Sequence, residues 1–125
     1  MRLVLDVGAL LAIDRRDRRM GALLRVAQQE RIAVRTSPAA VAQVLHHGAE
    51  QAHLVRMLAG VAAPPLDLRI GKLLGALLAT SRTCDIVDAH VASLAHTGDL
   101  VLTSDPDDLR RLLDALSVDA TVVRV

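Results

Sequence analysis

Short apolar runs alternate with helix-forming segments along the chain, and this alternation is typical of a parallel sheet covered by helices. Strand-like runs are expected at about Arg2 to Asp6, Ile32 to Thr36, Leu100 to Thr103 and Thr121 to Val125. A further short run, Val61 to Leu66, is interrupted by Pro64-Pro65. We therefore predict an α/β fold, a three-layer sandwich in which helices flank a short central parallel sheet. The length of 125 residues suits a single domain over residues 1–125 with one core.

Between the predicted strands, residues that favour helix ends indicate where helices begin and stop. Ser37 and Pro38 suit the N-cap and the first position of a helix, which is expected to break near Gly48. Asp67 suits the cap of a long leucine-rich helix. Further helices are expected over Gly8 to about Asp14, Met20 to Glu30, Ala49 to Ala59, Asp85 to about Thr97, and from Asp105 onward.

The composition narrows the functions that this chain can perform. Apolar residues make up 52% of the sequence and none is aromatic, so Leu, Val, Ile and Ala must build the core. Without aromatic side chains the usual base-stacking platform of single-strand binders is missing, and RNA recognition would depend on arginine, the backbone and a metal. No apolar stretch approaches the roughly 18 residues that span a bilayer, so no membrane association is expected. The absence of a signal-peptide pattern and the single Cys84 predict a cytoplasmic protein.

The positive charges are almost all arginine, with Lys72 the single lysine and a net charge of +1. Arginine offers a planar fork that suits phosphate groups, but a GC-rich genome also favours arginine and alanine codons. The stretch from Asp14 to Arg19 carries six consecutive charged residues. It is interpreted either as a solvated connection between helices or as an RNA contact.

Four aspartates follow the predicted strands or open the following helices. Asp6 ends the first run, Asp85 and Asp88 open an alanine-rich helix, and Asp105 follows the run that begins at Leu100. Open parallel sheets bind ligands beyond the carboxyl ends of their strands, so these acids are expected to converge. Two carboxylates about 4 Å apart repel by roughly 4 kcal/mol at an effective dielectric of 20. Such a group must stay partly protonated or bind a cation.

Each acid also has a purely structural explanation. Asp6, Asp85 and Asp105 precede helices and suit the role of N-cap, while Asp108 lies in a first helical turn, where negative charge is favourable. Asp88 differs because small apolar residues follow it on the same helix face, which predicts a position at the mouth of a buried stripe. A cap and a metal ligand can be the same residue, so both interpretations remain open.

The candidate ligands are oxygen atoms, and no cluster of cysteine and histidine accompanies them. This chemistry favours Mg²⁺ or Mn²⁺ over Zn²⁺. The five histidines are scattered and expected mostly at the surface, with His46 and His47 as candidates to face the acidic cleft.

Four motifs together resemble a PIN domain, and in particular a VapC-type toxin ribonuclease of a type II toxin–antitoxin system. They are Leu5-Asp6-Val7-Gly8-Ala9-Leu10-Leu11, Ser37-Pro38-Ala39-Ala40-Val41-Ala42-Gln43-Val44, Asp88-Ala89-His90-Val91-Ala92 and Thr103-Ser104-Asp105. Each motif is weak alone, whereas their order, spacing and the total length are fairly specific. The resemblance covers essentially the whole chain.

The resemblance implies a PIN-like fold that uses Mg²⁺ or Mn²⁺ to hydrolyse phosphodiester bonds in structured RNA such as tRNA or rRNA. Asp6, Asp88 and Asp105 match the acids that such enzymes use as catalytic metal ligands. Asp85, Gln43 and Asp108 are weaker candidates for metal binding. The resemblance also implies a homodimer, and a VapB-type antitoxin that forms a heterotetramer or larger complex and covers the acidic cleft.

One position departs from that pattern, because Gln43 stands where the family usually has a glutamate. An amide oxygen can coordinate a metal but brings no charge, and Glu50 is not expected to replace the missing acid directly. A catalytically weak or inactive PIN-like interaction module is therefore an alternative function. A signalling receiver domain is a further alternative, which the helical position of Lys72 disfavours.

Overall fold

The structure is a computed structural model that describes residues 1–46 and 49–125. Its centre is a sheet of four parallel strands, in the spatial order β2-β1-β3-β4. The strands are β1 (Leu3–Leu5), β2 (Val34–Thr36), β3 (Leu100–Thr103) and β4 (Thr121–Arg124).

Helices connect the strands and cover the sheet. In the described residues they are α1 (Val7–Asp14), α2 (Arg18–Gln29), α3 (Pro38–Val44), α4 (Ala52–Leu58), α5 (Leu68–Ser81), α6 (Ile86–Ser93) and α7 (Pro106–Ala115). This architecture confirms the predicted α/β fold with a short central parallel sheet flanked by helices. Helices α2, α3 and α4 pack against α1, while α5, α6 and α7 pack against one another.

The strand order creates a crevice between the two central strands. From β1 the chain moves outward to β2, and from β2 it returns across β1 to β3. Leu5 is in register with both Thr36 and Leu102, so three strands end at the same level. A reversal of strand order leaves open space beyond the carboxyl ends of the two central strands, which is where open α/β sheets bind ligands.

The apolar core in the described residues consists of aliphatic side chains and Met20, since the chain has no Phe, Tyr or Trp. The largest fully buried residues include Leu10 of α1, Leu54 of α4, Leu102 of β3 and Leu109 and Leu112 of α7. These residues belong to one continuous apolar cluster that joins both faces of the sheet. The site at the strand ends therefore rests on a single packed core.

The predicted helix starts agree closely with the structure. Ser37 accepts a hydrogen bond from the backbone N–H of Ala39 at the start of α3, and Pro38 occupies the first helical position. Asp67 accepts a hydrogen bond from the N–H of Ile70 at the start of α5.

Two predictions about secondary structure need correction. Within the described residues, Val61 to Leu66 forms no strand; Ala62 makes a single isolated bridge to Arg35, since two prolines follow it and cannot donate to a ladder. Helix α3 ends at Val44, before the predicted break. The break near Gly48 and the position of His47 lie outside the described residues. No helix within the described parts of the chain is long and apolar enough to cross a membrane.

Gly8 allows α1 to begin directly against the end of β3. A Cβ atom added at Gly8 would lie 2.6 Å from the Oγ atom and 2.8 Å from the backbone nitrogen of Ser104. No side chain fits at this distance unless the backbone moves. Gly8 therefore sets how closely the ends of β1 and β3 approach.

We expect Gly8→Ala to lower the free energy of unfolding by about 1–3 kcal/mol, because the added methyl group overpacks the contact with Ser104. Gly75→Ala in α5 is the matched control, since its added Cβ meets no atom within 4 Å, and it should stabilise by about 0.5–1 kcal/mol. Urea denaturation measures both values. Equal effects of the two substitutions would contradict the role assigned to Gly8.

Candidate metal centre

Asp6 occupies the end of β1 and is almost completely buried, with 3% of its surface exposed. One carboxylate oxygen accepts a hydrogen bond of 2.7 Å from the N–H of Val7, so Asp6 caps α1 as predicted. The other oxygen accepts a hydrogen bond of 2.6 Å from the hydroxyl of Thr103. The cap uses only part of the hydrogen-bonding capacity of the carboxylate, so capping and metal binding are compatible here.

The Thr103 hydroxyl connects the ends of the two central strands. It donates to Asp6 and accepts a hydrogen bond of 2.9 Å from the backbone N–H of Asp105. Thr103 is fully buried at the end of β3. Its hydroxyl therefore connects the Asp6 carboxylate with the backbone of Asp105.

Helix α6 brings Asp85 and Asp88 to the same crevice. Asp85 caps the helix by accepting a hydrogen bond of 2.9 Å from the N–H of Asp88, as the sequence predicted. Asp88 is partly buried, and Val91 and Ala92 below it are fully buried. Asp88 therefore lies at the mouth of a buried apolar stripe, which also agrees with the prediction.

Asp105 stands at the N-cap position of α7 but does not cap the helix with its side chain. This corrects the predicted capping role. Pro106 takes the first helical position. The Asp105 carboxylate is directed toward other acids instead, and its contact with Asp108 helps to raise the pKa of Asp108.

Three of the acids present oxygen atoms close enough to share one cation. One carboxylate oxygen from each of Asp88, Asp105 and Asp108 lies within 4.8 Å of the others. Opposite oxygen ligands of Mg²⁺ are about 4.2 Å apart, twice the usual Mg–O distance, so the group fits such an ion with small adjustments. Asp108 belongs to this group although the sequence ranked it low, and Asp6 lies next to the three acids and outside their group.

Charge repulsion connects all five acids, which we call the acidic cluster: Asp6, Asp85, Asp88, Asp105 and Asp108. Burial raises the pKa of Asp88 to about 7, with further contributions from the other four acids. Burial also raises the pKa of Asp6, against the effect of its hydrogen bonds with Thr103 and Val7. With a pKa of about 7, Asp88 is partly protonated at neutral pH, and a cation can displace that proton.

Another buried carboxylate, that of Asp99, shows what a purely structural acid looks like in this fold. Asp99 precedes β3 and forms an ion pair of 2.9 Å with Arg2. Burial raises its pKa, but hydrogen bonds from the N–H of His96 and from Arg2 outweigh burial and leave the pKa lowered. A positive partner satisfies Asp99, whereas like charges surround Asp88.

The other candidates lie outside the group of three acids. Gln43 is exposed on α3, Glu50 is exposed in the turn before α4, and His46 is exposed beyond the end of α3. Lys72 is exposed on α5, in a helix as predicted. The described structure therefore provides no glutamate within this group to replace the one that the family pattern requires.

The histidines were expected mostly at the surface, but His90 is buried, with 1% of its surface exposed. Its Nδ1 atom lies 2.7 Å from the hydroxyl of Ser37, which is also buried. This hydrogen bond ties α6, which carries Asp88, to the start of α3. Burial lowers the pKa of His90, because it disfavours the charged form of the ring. Its position directly after the Asp88-Ala89 pair, on the buried side of α6, was the available signal in the sequence.

Comparisons of this chain with protein-family models and with curated proteins find no match.

We expect stability to fall as the pH rises from about 4 through 7 in the absence of metal. The pKa of Asp88 is about 7 in the folded protein and near 3.8 when unfolded, so between these values the folded state binds more protons. Asp88→Asn should flatten this dependence and raise stability at pH 8 by roughly 1 kcal/mol, a value discounted for partial solvent screening.

The measurement is urea denaturation in EDTA at pH 5 and pH 8. Asp114→Asn, which removes an exposed acid outside the acidic cluster, controls for the loss of one negative charge. A less stable Asp88→Asn variant at pH 8 would contradict the assignment.

Proposed function

We propose that this protein is a metal-dependent endoribonuclease of the PIN-domain type, a VapC-like toxin that hydrolyses phosphodiester bonds in structured RNA such as tRNA or rRNA. The proposal rests on the resemblance of the sequence motifs and on the chemistry of the acidic cluster. In such a hydrolase the protein supplies carboxylate oxygens that hold a metal ion, and no side chain acts as the nucleophile.

One observation carries the proposal. Carboxylates that are far apart in the sequence meet at the carboxyl ends of β1 and β3, and Asp88, Asp105 and Asp108 bring oxygen atoms within 4.8 Å of one another. Clustering these charges is unfavourable unless protons or a cation offset their repulsion. A site for a divalent cation at the ligand-binding edge of the sheet explains why the chain tolerates that cost.

The acids of the cluster would have different roles in this reaction. Asp88, Asp105 and Asp108 would hold Mg²⁺ or Mn²⁺, with Asp6 beside them. When bound, the ion would activate a water molecule and neutralise charge that develops on the phosphate. The hydrogen bonds from Thr103 and Val7 fix the Asp6 carboxylate, so its orientation is set before substrate arrives.

The partners belong to the same proposal. A VapC-like protein is expected to act in the cytoplasm, to form a homodimer, and to be neutralised by a VapB-type antitoxin in a heterotetramer or larger complex. The support for these partners is the resemblance of the motifs around Asp6, Ser37, Asp88 and Asp105.

Gln43 favours a second candidate, a PIN-like interaction module with weak or no catalytic activity. An amide on α3 brings no negative charge to the site, and the group of three acids includes no glutamate. Loss of charge lowers the affinity for a divalent cation. Under this candidate the fold and the antitoxin complex are retained while hydrolysis is lost.

We expect the purified, antitoxin-free protein to cleave RNA in the presence of Mn²⁺. Asp6→Asn and Asp88→Asn should each reduce the rate by about 100-fold or more, because even the loss of an outer-shell group at metal sites costs 10- to 100-fold. Cleavage of labelled tRNA and rRNA fragments on denaturing gels measures the rate. The control is Asp114→Asn, which should cleave like the native protein. The proposal fails if the native protein cleaves no RNA or if the two variants retain full activity.

We expect Gln43→Glu to lower the Mn²⁺ concentration needed for half-maximal cleavage by about tenfold, because it adds a charged oxygen ligand where the family pattern has one. A metal titration of the cleavage rate measures the change, with Gln28→Glu on α2 as the control for added negative charge. A variant that binds antitoxin but gains no activity would favour the interaction module.

A further inference from the structure

A groove lined by arginines lies between the connection from α1 to α2 and the end of β4. It has a volume of about 280 Å³ and is lined by Arg15 and Arg19, from the charged stretch between α1 and α2, and by Arg124, at the end of β4. Buried apolar side chains, including Leu102, form its floor. We call this feature the arginine groove.

Arg124 links the arginine groove to the site. It is in register with Thr103, whose hydroxyl holds Asp6. Its guanidinium donates a hydrogen bond of 3.1 Å to the backbone carbonyl of Ser104, the residue that precedes Asp105. Arg124 therefore connects the arginine groove to the end of β3, where Asp105 follows Ser104 in the chain.

The groove has an excess of positive charge. Asp17 is its acidic lining residue, and that carboxylate accepts a hydrogen bond from the N–H of Met20 as the cap of α2. In the described parts of the chain, arginine forms direct ion pairs at Arg2 and Arg110, both outside the groove. An apolar floor beneath unpaired cations strengthens their attraction for anions.

We propose that the arginine groove binds backbone phosphates of an RNA strand that continues across the acidic cluster. This inference rests on the proposed ribonuclease function. The groove would supply the attraction for RNA phosphates that the acidic cluster lacks. The acids repel an incoming phosphodiester, and favourable contacts away from the reacting phosphate offset that repulsion. Arginine suits this role because its planar fork donates two parallel hydrogen bonds to phosphate oxygens.

The test measures binding separately from cleavage. Fluorescence anisotropy follows a labelled single-stranded RNA of about 12 nucleotides, in EDTA, so that metal-dependent cleavage cannot consume the probe. Three phosphate contacts predict a slope of about −2 in a plot of log affinity against log salt, or about a 20-fold loss between 50 and 200 mM NaCl. We expect the combined variant Arg15→Gln, Arg19→Gln, Arg124→Gln to bind more weakly and to have a slope shallower by about 2.

A matched control removes the same charge elsewhere, through Arg25→Gln, Arg56→Gln and Arg69→Gln on the exposed surfaces of α2, α4 and α5. This control variant should keep the native slope of log affinity against log salt, because its groove arginines are intact. A further variant that replaces the groove arginines with lysine should also keep most of the slope, because the charge is retained.

The inference is overturned if the groove variant binds like the native protein or if the control loses as much binding as the groove variant. Failure of the proposed function looks different. RNA binding that depends on the groove, without cleavage when Mn²⁺ is added, supports the groove and contradicts the ribonuclease. If the groove variant still cleaves RNA and its RNA binding is unchanged, the binding role of the groove is contradicted and the ribonuclease proposal is not.

Discussion

The hydrogen bond from Thr103 to Asp6 joins the ends of β3 and β1, and the geometry of the site depends on it. The two residues are 97 positions apart, so parallel pairing of the strands must be complete before the hydroxyl can reach the carboxylate. The same hydroxyl accepts the N–H of Asp105 and so sets where the chain leaves β3. One buried side chain thus orients two acids and the entry into α7.

A close backbone contact supports this link. The absence of a side chain at Gly8 lets the first turn of α1 lie against Ser104, and Arg124 donates to the carbonyl of the same residue. The Ser37–His90 hydrogen bond plays a comparable role for α6, since it holds the helix that carries Asp88 against the start of α3. The acidic cluster is therefore built on strand ends and helix starts that the surrounding structure fixes.

Several parts of this arrangement were predictable because their signals are local. Short apolar runs gave the four strands, and Ser37, Asp67 and Asp85 marked helix starts through hydrogen bonds to backbone groups two or three residues away. The expected strand at Val61 to Leu66 was wrong because adjacent prolines limited pairing to one bridge. His90 was misplaced because its environment comes from α3, a segment far away in the sequence.

The sequence by itself determined the fold class and the acidic character of the candidate site. Apolar periodicity and helix caps act within a few residues, and aspartates at strand ends can be identified without knowing which strands are neighbours. Only the tertiary structure decided which acids lie close enough to share one cation. It brought Asp108 together with Asp88 and Asp105, and it freed Asp105 from capping. These outcomes depend on distances between carboxylates on separate elements, which strand order and helix packing set.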